Sequence, residues 1–251
     1  MSSQVQTGQP ARGGALILGV GAASGLGAAA GRAFAAAGFS VTIASRNAKK
    51  LDEAAQSIAA VGAAPRVAVG DVSNAADVAR IVSEADAAKP IAVAIHNAGG
   101  NSPAPFLEVK QADFEEHWRA HALGGFLLAQ AILPKMLEQG AGTLIFTGAT
   151  GSLRGSARFS PFAAAKGALR MMAQSLAREF GPRGIHVAHV IIDGVIHGDR
   201  ARSAIPGLES RFGNDGMLEP DHIAETYLSL HEQHRSAWTH ELDLRPWSEK
   251  F

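Results

Sequence analysis

The chain contains no cysteine, which excludes disulfides, thiolate metal sites and a cysteine nucleophile and leaves the compartment open. It has no charge surplus either: 23 basic residues stand against 23 acidic ones. A nucleic-acid backbone and an anionic membrane both call for a basic excess, so neither is an expected partner. No apolar run approaches the length that spans a bilayer. The opening residues, MSSQVQTGQPARGG, lack a long apolar segment with a basic flank and do not read as a secretory signal. Linker-like composition and internal repeats are missing too. What is present is 251 residues of 47% hydrophobic content, enough to bury a sizeable core. The expectation is a cytoplasmic globule of one domain, residues 14–251, behind a flexible tail over 1–13.

Short apolar runs alternate with longer helical patterns along the chain. The runs are ALILGV, FSVTIAS, RVAVG, IAVAIHN, GTLIFTG, IHVAHVII and HELDLRP. Between them the spacing predicts helices near 25–37, 47–61, 74–88, 111–137, 161–180 and 220–231. Strands that are apolar on consecutive residues and separated by helices read as a parallel sheet covered on both faces. The predicted fold is therefore α/β, a doubly wound, seven-stranded Rossmann-like sheet closed by right-handed crossovers. Residues 194–217 break the rhythm with a long connection rich in glycine and charge. It follows the sixth strand on the side where ligands bind in such sheets, so a mobile substrate lid is expected.

The first strand runs into GVGAASGLGAAAGRAF, in which Gly19, Gly21, Gly25 and Gly27 give G-x-G-x-x-x-G-x-G. Glycines allow a tight turn and close approach of a pyrophosphate, which sits at the following helix N-terminus. The second strand ends in Ser45 and Arg46. A carboxylate there would bind the ribose hydroxyls of NAD, whereas arginine suits the 2′-phosphate of NADP. NADP is therefore preferred over NAD. Further on, Phe162, Lys166, Leu169, Ala173, Leu176 and Phe180 recur at the offsets that build one helix face. Lys166 falls within about 40° of the centre of that apolar stripe, where a surface lysine does not belong.

These motifs, in this order, resemble the short-chain dehydrogenase/reductase family across about residues 13–231. GAASGLG is similar to its T-G-x-x-x-G-x-G turn, with Val20 in place of threonine. GDVSN places Asp71 near an adenine, HNAGG keeps Asn97, Ala98 and Gly99, FAAAKGAL matches Y-x-x-x-K, and EPDHIAETYLSL matches the P-x-x-I-A helix. The resemblance implies that the cofactor is held by Gly21, Ala23, Ser24, Gly25, Leu26, Gly27, Ser45, Arg46, Asp71, Val72, Asn97, Ala98, Gly99, Lys166, Gly194 and Val195. It also implies a catalytic Asn, Ser, Tyr and Lys beside the nicotinamide, and a homodimer or homotetramer.

Carried over residue by residue, that catalytic group is mostly missing. Phe162 stands at the tyrosine, Ala149 at the serine and His121 at the asparagine; only Lys166 is retained. A phenyl ring transfers no proton and a methyl group binds no oxyanion. Thr150 or Ser152 could supply a hydroxyl if the loop is displaced. His121 either serves through its main-chain carbonyl or acts as the acid that Phe162 cannot be. His117 and His121 are four apart, as metal ligands can be, but no third ligand is spaced nearby and no metal is expected. The family's Pro-Gly after the sixth strand is Asp193-Gly194 here. Trp238, Leu242, Leu244, Trp247 and Phe251 alternate with charge in a tail expected to serve a subunit interface. The functional expectation is an NADP(H)-dependent oxidoreductase with an altered proton relay, acting on an unknown small molecule. The alternative is an inert nucleotide-binding pseudo-enzyme or a structural partner of an active homologue.

Overall fold

Runs rich in Val, Ile, Leu and Ala become strands because such side chains pack well on a pleated surface. The strands are β1 (Gly14–Leu18), β2 (Ser40–Ser45), β3 (Arg66–Val69), β4 (Ile91–His96), β5 (Gly142–Thr147), β6 (Ile185–Ile192) and β7 (Glu241–Leu244). All pair in parallel, in the order β3-β2-β1-β4-β5-β6-β7. The five inner strands are buried on both faces, and the edge strands β3 and β7 are more exposed. The computed structural model describes residues 12–249. Most of the expected tail, residues 1–11, lies outside the described residues, as does Phe251. Arg12 is already part of the fold: it pairs with Glu232 and lies over the Phe39 ring.

The helices are α1 (Leu26–Ala36), α2 (Ala48–Ala59), α3 (Ala75–Ala88), α4 (Gln111–Trp118), α5 (Gly124–Gln139), α6 (Ser160–Phe180), α7 (Asp199–Ala204), α8 (Leu208–Phe212) and α9 (Pro220–Glu232). Asn47 and Asn74 start α2 and α3 by accepting the Lys50 and Asp77 amides, which would otherwise be orphaned. One core, with Ile17, Ile43, Ile95 and Tyr227, lies between the sheet and α1, α2 and α9. The other, with Leu18, Ala94, Phe146 and Leu169, lies between the sheet and α3, α5 and α6. Alternate residues of β1 serve opposite cores, which is the period-2 geometry of a strand.

Two expectations need correction. The single helix read over 111–137 is interrupted: Arg119–Leu123 forms a π-helical turn between α4 and α5. Such an insertion rotates the following helix and is common at functional sites. The continuous helical stretch Gln111–Gln139 also contains an 18-residue window with the mean hydropathy, 1.2, of a bilayer span, although no run looked long enough in the sequence. Half of it is buried, and α5 packs on α3, β4 and β5 as a core helix. The tail finishes the sheet: Leu242 and Leu244 pack on the core and Trp238 stacks on His186 at 4.9 Å, while Trp247 is exposed. The connection 194–217 carries α7 and α8, and its base is tied by an Ile196–Leu218 bridge.

Candidate active site

The glycine turn leaves β1 at Gly19, whose φ of +88° only glycine adopts without strain. Its backbone lies against β4's end, where a Cβ would come within 2.4 Å of Ala98 Cα. Gly19 and Val20 donate their amides to Ala44 O at 2.9 and 3.2 Å, and Asn97 Nδ2 donates to Gly19 O at 3.2 Å. The turn then enters α1 through Gly25, so the helix N-terminus with its free amides faces the end of the sheet. At Gly21 nothing lies within 4 Å of where a Cβ would be. That opening belongs to a cleft of about 510 Å³ lined by Gly21, Ser45, Arg46, Asp71, Val72 and Ala98. A dinucleotide fits these residues: the cradle at Gly21 is open, the helix terminus suits phosphate, and the buried Ser45 Oγ has no protein partner.

Of the other residues assigned to the cofactor, Ala23, Ser24, Leu26, Gly27, Gly194 and Val195 do not line this cleft. Ala23 O accepts from Arg32 at 2.8 Å, and Ser24 Oγ accepts the Asp199 amide at 3.3 Å, which docks α7 onto the turn. Leu26 is buried beneath α1, and Gly27 faces Val20 at close range. Gly194 abuts Pro246, and Val195 O accepts the Leu218 amide at the base of the 194–217 connection. Asp71 takes the Ser73 amide and hydroxyl at 2.8 and 2.9 Å, and Arg46 stands 3.9 Å from it. Lys50, Arg119 and Arg200 also line the cleft. The sequence reading missed them because they sit on α2, the π-helical turn and α7, with no motif around them.

At the other end lies Lys166, 5% exposed on α6. Its Nζ donates to Thr147 O at 2.7 Å and sits 5.7 Å from the centre of the Phe162 ring. Burial, and then the nearby Arg200 cation, push its pKa down to about 7. Ala149 occupies the turn after β5 and offers only a methyl group there. Thr150 is not available as a hydroxyl in its place, because it donates to the buried Asp193 at 2.5 Å. Asp193 is also paired with Arg154 and Arg245, each at 3.4 Å. The chain's single tyrosine, Tyr227, is fully buried and shares a 2.8 Å bond with Thr147 Oγ1, so it is not a displaced catalytic phenol.

His121 lies in the π-helical turn, 1% exposed, edge-on to Phe162 at 5.3 Å. Its Nε2 donates to Gly100 O at 2.9 Å, which leaves Nδ1 a bare, buried acceptor. Burial, and then Lys166, push its pKa down to about 2, so the imidazole is neutral at any working pH. Gly99, with φ +97°, makes room for it: a Cβ there would lie 2.1 Å from the ring. The main-chain carbonyl of His121 is engaged as well, because His96 Nε2 donates to it at 3.0 Å. The carbonyl of residue 121 thus holds one hydrogen bond, and the side chain keeps Nδ1 as its unpaired atom.

Comparison with known proteins shows the family of the chain. Residues 15–204 match the short chain dehydrogenase family. A galactitol 2-dehydrogenase (L-tagatose-forming) from Cereibacter sphaeroides is 33% identical over 169 residues, 66% of each chain. The (2S)-[(R)-hydroxy(phenyl)methyl]succinyl-CoA dehydrogenase subunit BbsD from Thauera aromatica is 30% identical over 84% of this chain and 86% of its own. The crystal structure of a short-chain dehydrogenase from Rhodopseudomonas palustris superposes with a TM-score of 0.77 at 36% identity, covering 94% of this chain and all of that one. A metagenomic short-chain oxidoreductase in complex with NADP shares the fold, with a TM-score of 0.79 at 22% identity over 94% of this chain and 98% of that one. With a glycine turn, a cleft at the carboxyl ends of the strands and the retained Lys166, the chain belongs to the short-chain dehydrogenase/reductase family.

Proposed function

We propose that the protein is an NADP(H)-dependent oxidoreductase of a small molecule in which Lys166 itself exchanges the substrate proton. The buried Lys166 amine carries this reading, with Phe162 standing where a phenol would come between it and a substrate. An acid titrating near pH 7 is matched to its task, because it holds a proton and can still release it. A bound nicotinamide supplies the hydride. Lys166 gives a proton to the substrate oxygen in reduction and takes one in oxidation. The neutral His121 shapes the wall beside Phe162 and does not act as the acid. The test follows consumption of reduced nicotinamide by its absorbance across carbonyl, enone and imine substrates. Tight NADPH binding with no turnover of any of them would sink the proposal.

The preference for NADP rests on Arg46, with Lys50 and Arg119 in the same cleft. A charge-assisted bond to phosphate contributes about 1.5–3 kcal/mol, so Arg46→Ala is expected to raise the NADPH dissociation constant roughly 10- to 100-fold. NADH binding, measured in the same fluorescence titration, should hardly change. Equal losses for both cofactors would remove the case for a 2′-phosphate site.

One observation favours a second reading, an inert nucleotide-binding protein. His96 occupies the His121 carbonyl, and Phe162 and Ala149 provide no hydroxyl. The double substitution Phe162→Tyr with Ala149→Ser separates the two readings. Ketone reduction gained from a silent parent supports the inert role; ketone turnover by the parent excludes it.

A further inference from the structure

A directional chain of hydrogen bonds lies beneath the active-site turn and takes no part in cofactor binding. His189 points from β6 and is completely buried, so its ring must find partners. Its Nδ1 is 2.9 Å from Glu241 Oε2, and a carboxylate only accepts, so Nδ1 carries the proton. Nε2 is then a bare acceptor, and Ser152 Oγ, 3.3 Å away, donates to it. The same Ser152 oxygen accepts the Ala149 amide at 3.1 Å. Arg170, one turn beyond Lys166 on α6, grips Glu241 with two bonds of 2.7 Å. Each link admits one direction only: donation runs from the Ala149 amide through Ser152 and His189 to Glu241, and Arg170 donates to the same carboxylate from the other side.

The turn also rests on the imidazole itself: a Cβ on Gly148 would lie 2.4 Å from His189 Nε2. Burial, opposed by Glu241 on β7 and reinforced by Lys166 and Arg170 on α6, pushes the His189 pKa down to about 4. The ring therefore stays a neutral acceptor through the ordinary working range. The chain joins β6, β7 and α6 to residues 148–152, the turn carrying Ala149, and thereby sets that turn against the helix that carries Lys166.

We propose that His189 is a positioning residue: held by Glu241 and Arg170, it fixes Ser152 and the 148–152 turn opposite Lys166. The turnover part of this inference rests on the oxidoreductase reading; the structural part does not. The test uses the full-length protein and two variants, His189→Leu and the milder Ser152→Ala. Both are expected to raise the hydrogen-exchange rate of the Ala149 amide at least about tenfold, since that amide loses its acceptor or the acceptor's anchor. NADPH affinity should stay within about twofold, while kcat falls up to about 100-fold, the cost of misplacing a reacting group by an ångström. His189→Gln, which keeps an acceptor on the side chain, should recover part of kcat.

Unchanged Ala149 exchange in a folded Ser152→Ala protein overturns the proposal whether or not the enzyme turns over. Loss of NADPH affinity in step with kcat also overturns it, because that would mark a general loosening. A wild type that binds NADPH and reduces nothing defeats the oxidoreductase reading alone, and the exchange result then decides the role of His189.

Discussion

Lys166→Met is expected to abolish turnover and to stabilise the protein, most strongly below pH 7. The amine is buried, and its pKa of about 7 in the fold compares with 10.5 for a free lysine. The sign follows from proton binding. Below pH 7 the lysine is charged in both the folded and unfolded states, and the fold bears the whole cost of burying the charge. Between 7 and 10.5 the unfolded chain holds more protons, so wild-type stability rises with pH through this window. A shift of this size corresponds to a penalty on the order of 5 kcal/mol. Methionine removes that penalty but leaves Thr147 O without its donor, a loss of about 1–3 kcal/mol. The net gain, roughly 3 kcal/mol at pH 6, should fall as pH rises, vanish near pH 9 and turn into a net loss of about 1–3 kcal/mol as pH approaches 10.5. Urea unfolding of both proteins at pH 6 and pH 9 measures it, and a variant less stable than wild type at pH 6 would contradict the account. The same titration gives a kinetic signature: in the reductive direction, kcat/KM of the wild type should decline as pH rises through about 7. A gain in stability with loss of activity is the trade-off expected at a strained functional group.

Two glycines only two residues apart should respond in opposite ways to the same substitution. Gly19→Ala places a Cβ 2.4 Å from Ala98 N and Cα and 2.7 Å from Asn97 C, all backbone atoms at the end of a central strand. It also forces a φ of +88° on a residue that disfavours it. Strain and overpacking together cost about 2–6 kcal/mol, enough to unfold much of the protein at modest urea concentrations. Gly21→Ala meets no atom within 4 Å, so the unfolding midpoint should be unchanged. Its methyl group would project into the cleft, where the backbone has to meet a pyrophosphate. NADPH binding, measured by fluorescence titration, should therefore weaken by about tenfold or more. If Gly21→Ala binds NADPH as the wild type does, the assignment of this cradle to the cofactor is lost.

The parallel sheet, the helix limits and the glycine turn were legible in the sequence because each is encoded by residues close together. Alternating strand and helix periods, the Asn47 and Asn74 caps and the spacing of Gly19 to Gly27 need no distant partner. Phe162 and Lys166 are four apart on one helix, so their meeting followed from helical geometry alone. The π-helical turn at Arg119–Leu123 did not, since nothing in RAHAL departs from an ordinary helical pattern.

By itself, then, the sequence determined the fold class and the glycine turn after the first strand. Only the tertiary structure decided what the remaining polar groups do. Ser152 and His189 are 37 residues apart, His189 and Glu241 52, and Arg170 and Glu241 71. The neutrality of His121, the capture of its carbonyl by His96 and the lowered pKa of Lys166 likewise come from burial by distant elements. The physical reason is that a polar side chain's protonation and partner are set by the dielectric and the charges within a few ångströms. Those neighbours are assembled by the packing of the sheet, not by adjacency in the chain.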